Sequence, residues 1–293
     1  MKKTRVLHIE EFRDSHSAEE FYAATMKDHL RTRHKDIALP HSHDFYVAIL
    51  FTQGSGIHEV DFTSYEVKPG ALFFLNPGQT HHWELSQDTD GYIFLHSQAF
   101  YDMHYTHNRL SRFPFFYSMH QSSYLQLSES NAAIMTVLFE SILLENLSEN
   151  NLKRQAIVSM ADLVYVNATR IYLNENPEFT DSNNSYYNKF RQFEELVEQH
   201  YKQVKLPSAY ADMMAITPKH LNRITQSVVG KTASEVILDR ILLEARKLLV
   251  HHSSHFSEVS DKLGYEDYAY FSKVFRKKTG DTPKAFLARY GNK

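Results

Sequence analysis

Residues 263–286 read LGYEDYAYFSKVFRKKTGDTPKAF. Asp267 stands directly before an apolar-periodic segment, Tyr268 to Lys278, that stops short of Gly280, and Thr282-Pro283 opens another helix. An N-cap oxygen accepts from the first free N–H groups of a helix, and glycine past its end adopts a left-handed conformation without steric cost. The stretch is therefore a short helix with both ends marked. The same marks occur fifty residues earlier: Thr217 aligns with Asp267, Leu221 with Phe271, Arg223 with Lys273, Ile224 with Val274, Gly230 with Gly280 and Thr232 with Thr282. This is an internal repeat.

Each copy follows a short amphipathic helix, Pro207 to Met214 in one and Phe256 to Leu263 in the other, with small Ala211 or Ser260 where two helices approach closely. Tight breaks, Ala215-Ile216 and Gly264-Tyr265-Glu266, separate the paired helices. In the first copy Thr217-Pro218 supplies a cap and a proline at the first helical position, ahead of a helix from Lys219 to Val228. Short helix, tight turn and capped second helix make a helix-turn-helix. Between the copies, Ala233 to Val250 reads as one long helix with Val236, Ile237, Leu243, Ala245, Leu248 and Leu249 available to pack on both.

The charge distribution follows this division. The 293 residues carry 32 Lys+Arg against 35 Asp+Glu, a net −3 that by itself argues against a polyanion partner. Residues 186–293 hold 18 basic and 12 acidic side chains, +6, which leaves 14 and 23, or −9, for residues 1–185. An acidic front is thus joined to a basic back. The join falls in a polar stretch, Asn174 to Ser185, that contains Pro177 and lacks helical periodicity. The expected organisation is residues 1–175, a linker over 176–188, and 189–293. With no cysteine there is no disulfide, thiolate-metal site or cysteine nucleophile. No leader-type apolar segment follows the basic start, and no apolar run approaches a membrane span, so a cytoplasmic protein without a membrane partner is expected.

From Pro40 to His96 turn signals recur every eight to twelve residues: Gln53-Gly-Ser-Gly56, Lys68-Pro-Gly70, Asn76-Pro-Gly78 and Asp88-Thr-Asp-Gly91. Between them lie short runs rich in Phe, Tyr, Val and Ile, the pattern of a β-sandwich or barrel. Alternation places His41, His43, Phe45, Val47, Ile49 and Phe51 on one face, and groups Tyr92, Phe94 and His96 on another strand. Two helices follow, one with a stripe of Ile134, Val137, Leu138 and Ile142, the other with Ala156, Met160, Leu163, Val164 and Ile171. Core cover and a dimer seam are both open readings of this pair.

The stretch Pro40-His-Ser-His-Asp-Phe-Tyr46, with Gln53-Gly-Ser-Gly56, Val67-Lys-Pro-Gly70 and Asn76-Pro-Gly-Gln-Thr-His81, resembles the cupin-type sensory domain of AraC/XylS transcription regulators. Residues 263–286, together with Lys219 to Ala233, Arg240 and Leu243 to Leu249, are similar to the DNA-binding domain of the same family. Tyr265 stands where Phe is usual, Ala269 where Ser is common and Ser260 for Ala. The resemblance implies an α+β chain of two domains: a cupin-like β-barrel with a helical dimerisation segment, then an all-α domain of two helix-turn-helix motifs joined by a long helix. It further implies a homodimer that binds promoter DNA, contacts RNA polymerase, most often activates, and responds to a small molecule in the barrel.

Side chains that face away from the helix-turn-helix core are suited to base edges and phosphates. With Leu221 and Ile224 inward, Lys219, His220, Asn222, Arg223 and Gln226 remain for DNA. With Phe271, Val274 and Phe275 inward, Tyr270, Ser272, Lys273, Arg276 and Lys277 remain. For an effector, the candidates are His41, His43, Gln53, His81, Trp83, Tyr92 and Phe94, since ligand pockets join aromatic walls to a few polar groups. His81 and His82 also read as a hydrogen-bonded turn pair.

Two rivals stand beside this reading. A metal-dependent cupin enzyme would use His41, His43 and His81, but Phe45-Tyr46-Val47-Ala48 occupies the place where the anionic ligand would follow. No metal, cofactor or catalytic residue is therefore assigned. The second rival is a regulator whose barrel only dimerises.

Overall fold

The computed structural model describes residues 5–12, 20–32, 39–102, 110, 113–117, 122–175, 185–251 and 256–290. The chain divides into two compact units, Arg5–Glu175 and Asn176–Lys293. The first is built on two five-stranded sheets and the second is helical.

In the first unit the strands are β1 (Arg5–Leu7), β2 (Phe21–Thr25), β3 (His41–His43), β4 (Tyr46–Gln53), β5 (Gly56–Val60), β6 (Thr63–Val67), β7 (Ala71–Leu75), β8 (His81–Leu85), β9 (Asp90–His96) and β10 (Tyr124–Gln126). One sheet runs β1-β3-β8-β5-β6 and the other β10-β7-β4-β9-β2. Helix α1 (Met26–Thr32) and the short α2 (Gln98–Asp102) and α3 (Pro114–Tyr117) flank them, and α4 (Glu129–Leu147) and α5 (Lys153–Glu175) follow.

The register of β4 sorts the side chains. Val47 pairs with Leu95 and Ile49 with Ile93, so these four share a face. They join Phe45, Phe51, Phe73, Leu75, Val60, Val67 and Trp83 in a core between the sheets. Ala48 and Phe94 pair on the opposite face, where Phe94 meets Phe139 of α4 and Tyr165 of α5 at centroid distances of 5.1 and 6.1 Å.

The helical stripes are shifted from those read in the sequence. On α4 the buried residues are Met135, Phe139 and Ile142, whereas Ile134, Val137, Leu144 and Leu147 are 54%, 61%, 68% and 72% exposed. The helix is apolar on two sides, so its periodicity alone does not tell the buried side from the open one. On α5 the buried set is Ile157, Val158, Ala161, Val164, Tyr165, Ala168 and Tyr172.

The second unit contains α6 (Ser185–His200), α7 (Pro207–Met213), α8 (Pro218–Val229), α9 (Ala233–His251), α10 (Phe256–Lys262), α11 (Tyr268–Thr279) and α12 (Pro283–Tyr290). Residues 176–184 of the expected linker lie outside the described residues, and 185–188 open α6 rather than ending the linker. Phe190, Phe193 and Val197 on one face of α6 outweigh the polar composition of its start.

The caps form as expected. Thr217 Oγ1 accepts from the His220 N–H at 3.2 Å, and Asp267 Oδ1 from the Ala269 N–H at 2.8 Å. Gly230 and Gly280 end their helices at φ 65° and 83°. The two turns also correspond: the Ile216 N–H donates to Ala211 O and the Tyr265 N–H to Ser260 O, both at 3.0 Å. Ala211 and Ser260 are fully buried at these approaches.

Candidate functional site

Helix α8 presents Lys219, Arg223, Gln226 and Ser227 to solvent, with His220 half-buried at the edge of that face. Leu221 and Ile224 are inward, as expected. Asn222 departs from the expected set. Its Oδ1 accepts from the Ala233 N–H at 2.9 Å, so this half-buried side chain ties the middle of α8 to the start of α9. The helical period explains this, because Asn222 lies about 100° around the axis from Arg223. Ser227, one turn beyond Arg223, takes its place on the open face.

Helix α11 presents Tyr270, Lys273, Arg276 and Lys277, while Ser272, aligned with Asn222, is half-buried. Phe271 and Phe275 are fully buried, and Val274 is partly covered. Two faces of long donor-rich side chains therefore stand on repeated motifs, each chemically able to meet phosphates and base edges.

The connector α9 is tied to both motifs. Thr232 and Glu235 form a capping box, with the Thr232 N–H donating to Glu235 Oε2 at 3.0 Å and the Glu235 N–H to Thr232 Oγ1 at 3.2 Å. Lys278 of α11 adds an ion pair to Glu235 at 3.1 Å. The Thr232 and Lys278 donors hold the Glu235 carboxyl down at about 2. Arg240 binds Glu198 of α6 through two N–H groups at 2.5 and 2.9 Å and lies 4.1 Å from the Tyr201 ring centroid. Lys205 Nζ donates to Gly264 O at 2.9 Å, linking the segment after α6 to the second turn.

In the first unit the interior gathers more imidazole than the sequence reading assigned. His41, His43 and His81 are buried between the sheets, and His58 of β5 joins them with its Nε2 3.0 Å from His81 Nδ1. The His41 and His43 rings lie 4.3 and 5.2 Å from the His81 ring. Trp83 stands 5.1 Å from both His58 and His81. His58 was legible in principle, since it shares its strand phase with Val60, one of the buried residues of β5. Burial lowers His41 to about 4 and His58 well below the usual imidazole value, so both are neutral near pH 7.

The expected effector set is divided by the sheet. Tyr92 and Phe94 pair with Leu50 and Ala48, on the face turned away from the histidines. Tyr92 donates to Glu140 of α4 at 2.5 Å, and Phe94 packs beneath α4 and α5. Gln53 is exposed at the end of β4. Alternation therefore removes Tyr92 and Phe94 from the interior group, and exposure past the register shift between Phe51 and Gln53 removes Gln53. His82 is likewise out of phase with His81 and lies 3.8 Å from Glu59.

Among the described residues one trio, His8, Glu10 and Asp44, brings ligand atoms within 4.8 Å of one another, and it is exposed. Among the described residues no helix is long and apolar enough to cross a membrane.

A family model described as an AraC-like ligand binding domain matches residues 30–158, and one described as a helix-turn-helix domain matches residues 210–289. The chain is 22% identical over 277 residues to the HTH-type transcriptional activator RhaS of Escherichia fergusonii, covering 92% of this chain and 95% of that one. It is 35% identical over 100 residues to YidL of Escherichia coli, an uncharacterized HTH-type transcriptional regulator, over 33% of this chain and 34% of that one. Among solved structures, ToxT from Vibrio cholerae is similar at 13% identity and a TM-score of 0.45, over 92% of this chain and 98% of that one. The relatives that match along nearly the whole chain are transcriptional activators, which sets aside the enzyme reading. The ligand-binding family model in front, the helix-turn-helix model behind and the repeated capped helices together place the chain in the AraC/XylS family of transcription regulators.

Proposed function

We propose that the protein is a dimeric transcription activator of the cytoplasm that binds promoter DNA through both helix-turn-helix motifs and engages RNA polymerase there. The observation that carries the reading is the repeated open face: Lys219, His220, Arg223 and Gln226 on α8, and Tyr270, Lys273, Arg276 and Lys277 on α11. Recognition helices held on one connector can enter successive major grooves about 34 Å apart. Activation is carried over from the named function of the full-length relatives.

An effector fits best between the sheets, where the neutral imidazoles of His41 and His58 stand with His43, His81 and Trp83 among aromatic side chains. Such a lining supplies hydrogen-bond donors and acceptors without net charge, the chemistry of an uncharged polar ligand. The dimer reading is supported by the open apolar stripe of α4.

The test is selection of bound duplexes from a random pool by the full chain, repeated over a salt series. A recovered motif in two parts about one helical turn apart is expected. Failure to enrich any motif, with binding lost at modest salt, overturns the reading. Trp83 is the single tryptophan, so its emission reports occupancy of the interior directly.

A further inference from the structure

The second turn of α6 brings Lys189 to the head of the first recognition helix. Lys189 Nζ lies 3.4 Å from His220 Nε2, and Arg223 Nη2 lies 3.4 Å from His220 Nδ1. Both ring nitrogens thus face positively charged N–H groups. A neutral imidazole has one acceptor nitrogen and one N–H, so one of these approaches sets N–H against N–H. An imidazolium sets both that way. The ring of Tyr186 closes a further side of the imidazole at a centroid distance of 5.6 Å.

Among the described residues no carboxylate is paired with Lys189, His220 or Arg223. Two of the three acids of α6 are engaged elsewhere, Glu195 with Arg191 at 3.8 Å and Glu198 with Arg240. The His220 imidazole is held below its usual range, first by desolvation and then by Lys189 and Arg223. The N-terminus of α8 adds partial positive charge to the same spot. Such a cluster of like charge has the form of a receptor for an anion.

We propose that Lys189, His220 and Arg223 together hold one backbone phosphate of the bound DNA, with Lys189 as a contact supplied from outside the helix-turn-helix. The proposal rests on the DNA-binding reading above. Phosphate oxygens accept from the ammonium, the imidazole and the guanidinium at once, replacing mutual repulsion with charge-assisted hydrogen bonds. Contacts of this kind set register and carry no sequence information. The site belongs to the first motif, because Tyr270 stands in the second where His220 stands in the first.

The experiment is fluorescence anisotropy of the full chain on its selected duplex and on a random duplex, across a potassium chloride series, for wild type, Lys189→Ala, Lys189→Gln and Lys189→Arg. Each phosphate contact contributes about 0.9 to the slope of log K against log salt. Lys189→Ala and Lys189→Gln are expected to lower the slope by about one and to weaken both duplexes by a common factor on the order of fivefold, with Lys189→Arg near wild type. Equal circular dichroism and thermal midpoints establish that the variants are folded. Wild-type slope and affinity in folded Lys189→Ala overturn the proposal and leave the DNA-binding reading standing. Loss confined to the selected duplex makes Lys189 a base reader and also overturns it. A wild-type chain that enriches no motif overturns the DNA-binding reading itself.

Discussion

The Tyr165 hydroxyl of α5 lies 2.6 Å from His96 Nε2 at the end of β9, with both residues buried. His96 Nδ1 stands 2.9 Å from the Ser97 carbonyl, so the ring proton sits on Nδ1 and Nε2 accepts from tyrosine. The pair pins helix to sheet through a polar bond inside an aromatic shell of Phe74, Phe94, Phe113, Phe115 and Phe116.

Removing that hydroxyl leaves a buried acceptor unsatisfied. Tyr165→Phe is expected to cost about 1–3 kcal/mol of unfolding free energy, read from urea denaturation. A change within about 0.5 kcal/mol would show that the bond contributes nothing net.

Acid should loosen the β-unit before it affects the helices. His41 and His96 are lowered to about 4 by burial, and burial also lowers His58 well below its usual value. The unfolded chain protonates each near 6.5 while the folded chain does not, so stability is complete above that value and is lost as pH falls from about 6.5 toward 4. The expected slope is about 1.4 kcal/mol per pH unit for each group fully engaged. Urea midpoints followed by Trp83 emission between pH 7 and 4.5 measure it, and a flat profile contradicts the buried neutral state.

Gly264 and Gly230 both have positive φ, 71° and 65°, yet they differ in surroundings. A Cβ at Gly264 would overlap the Lys202 carbonyl oxygen, while Gly230 has open space. Gly230→Ala is expected to cost about 1–2 kcal/mol, the backbone strain alone. Gly264→Ala should cost more and push the second turn away from the segment after α6, lowering both thermal midpoint and DNA affinity. Equal losses would show that the clash is relieved by a small shift.

The exposed stripe on α4 predicts self-association. Leu144→Lys is expected to shift sedimentation equilibrium toward monomer while leaving the thermal midpoint of the monomer within a few degrees, because the side chain is already 68% exposed. An unaltered dimer would place the interface elsewhere.

Asn222→Ala separates fold from recognition. Loss of its bond to the Ala233 N–H should cost about 0.5–1.5 kcal/mol of stability. Affinity of the folded fraction for DNA should stay near wild type, whereas a specific loss on the selected duplex would return Asn222 to the recognition face.

The sequence alone determined the helical unit because its evidence is local. Caps at Thr217 and Asp267, left-handed ends at Gly230 and Gly280 and small Ala211 and Ser260 each act within a few residues, and repetition confirms the pattern. It also determined which β4 residues share a face, since alternation is a property of one strand. What required the tertiary structure was everything set by pairing between distant segments. The register of β9 on β4 turned Tyr92 and Phe94 away from the histidines, β5 against β8 brought in His58, and α9 drew Asn222 away from the recognition face. On α4 a helix apolar on two sides carries no mark of which side is covered, and only the packed sheet decided that Met135, Phe139 and Ile142 face inward. Lys189 joins His220 for the same reason, because two helices thirty residues apart meet only through the core they share.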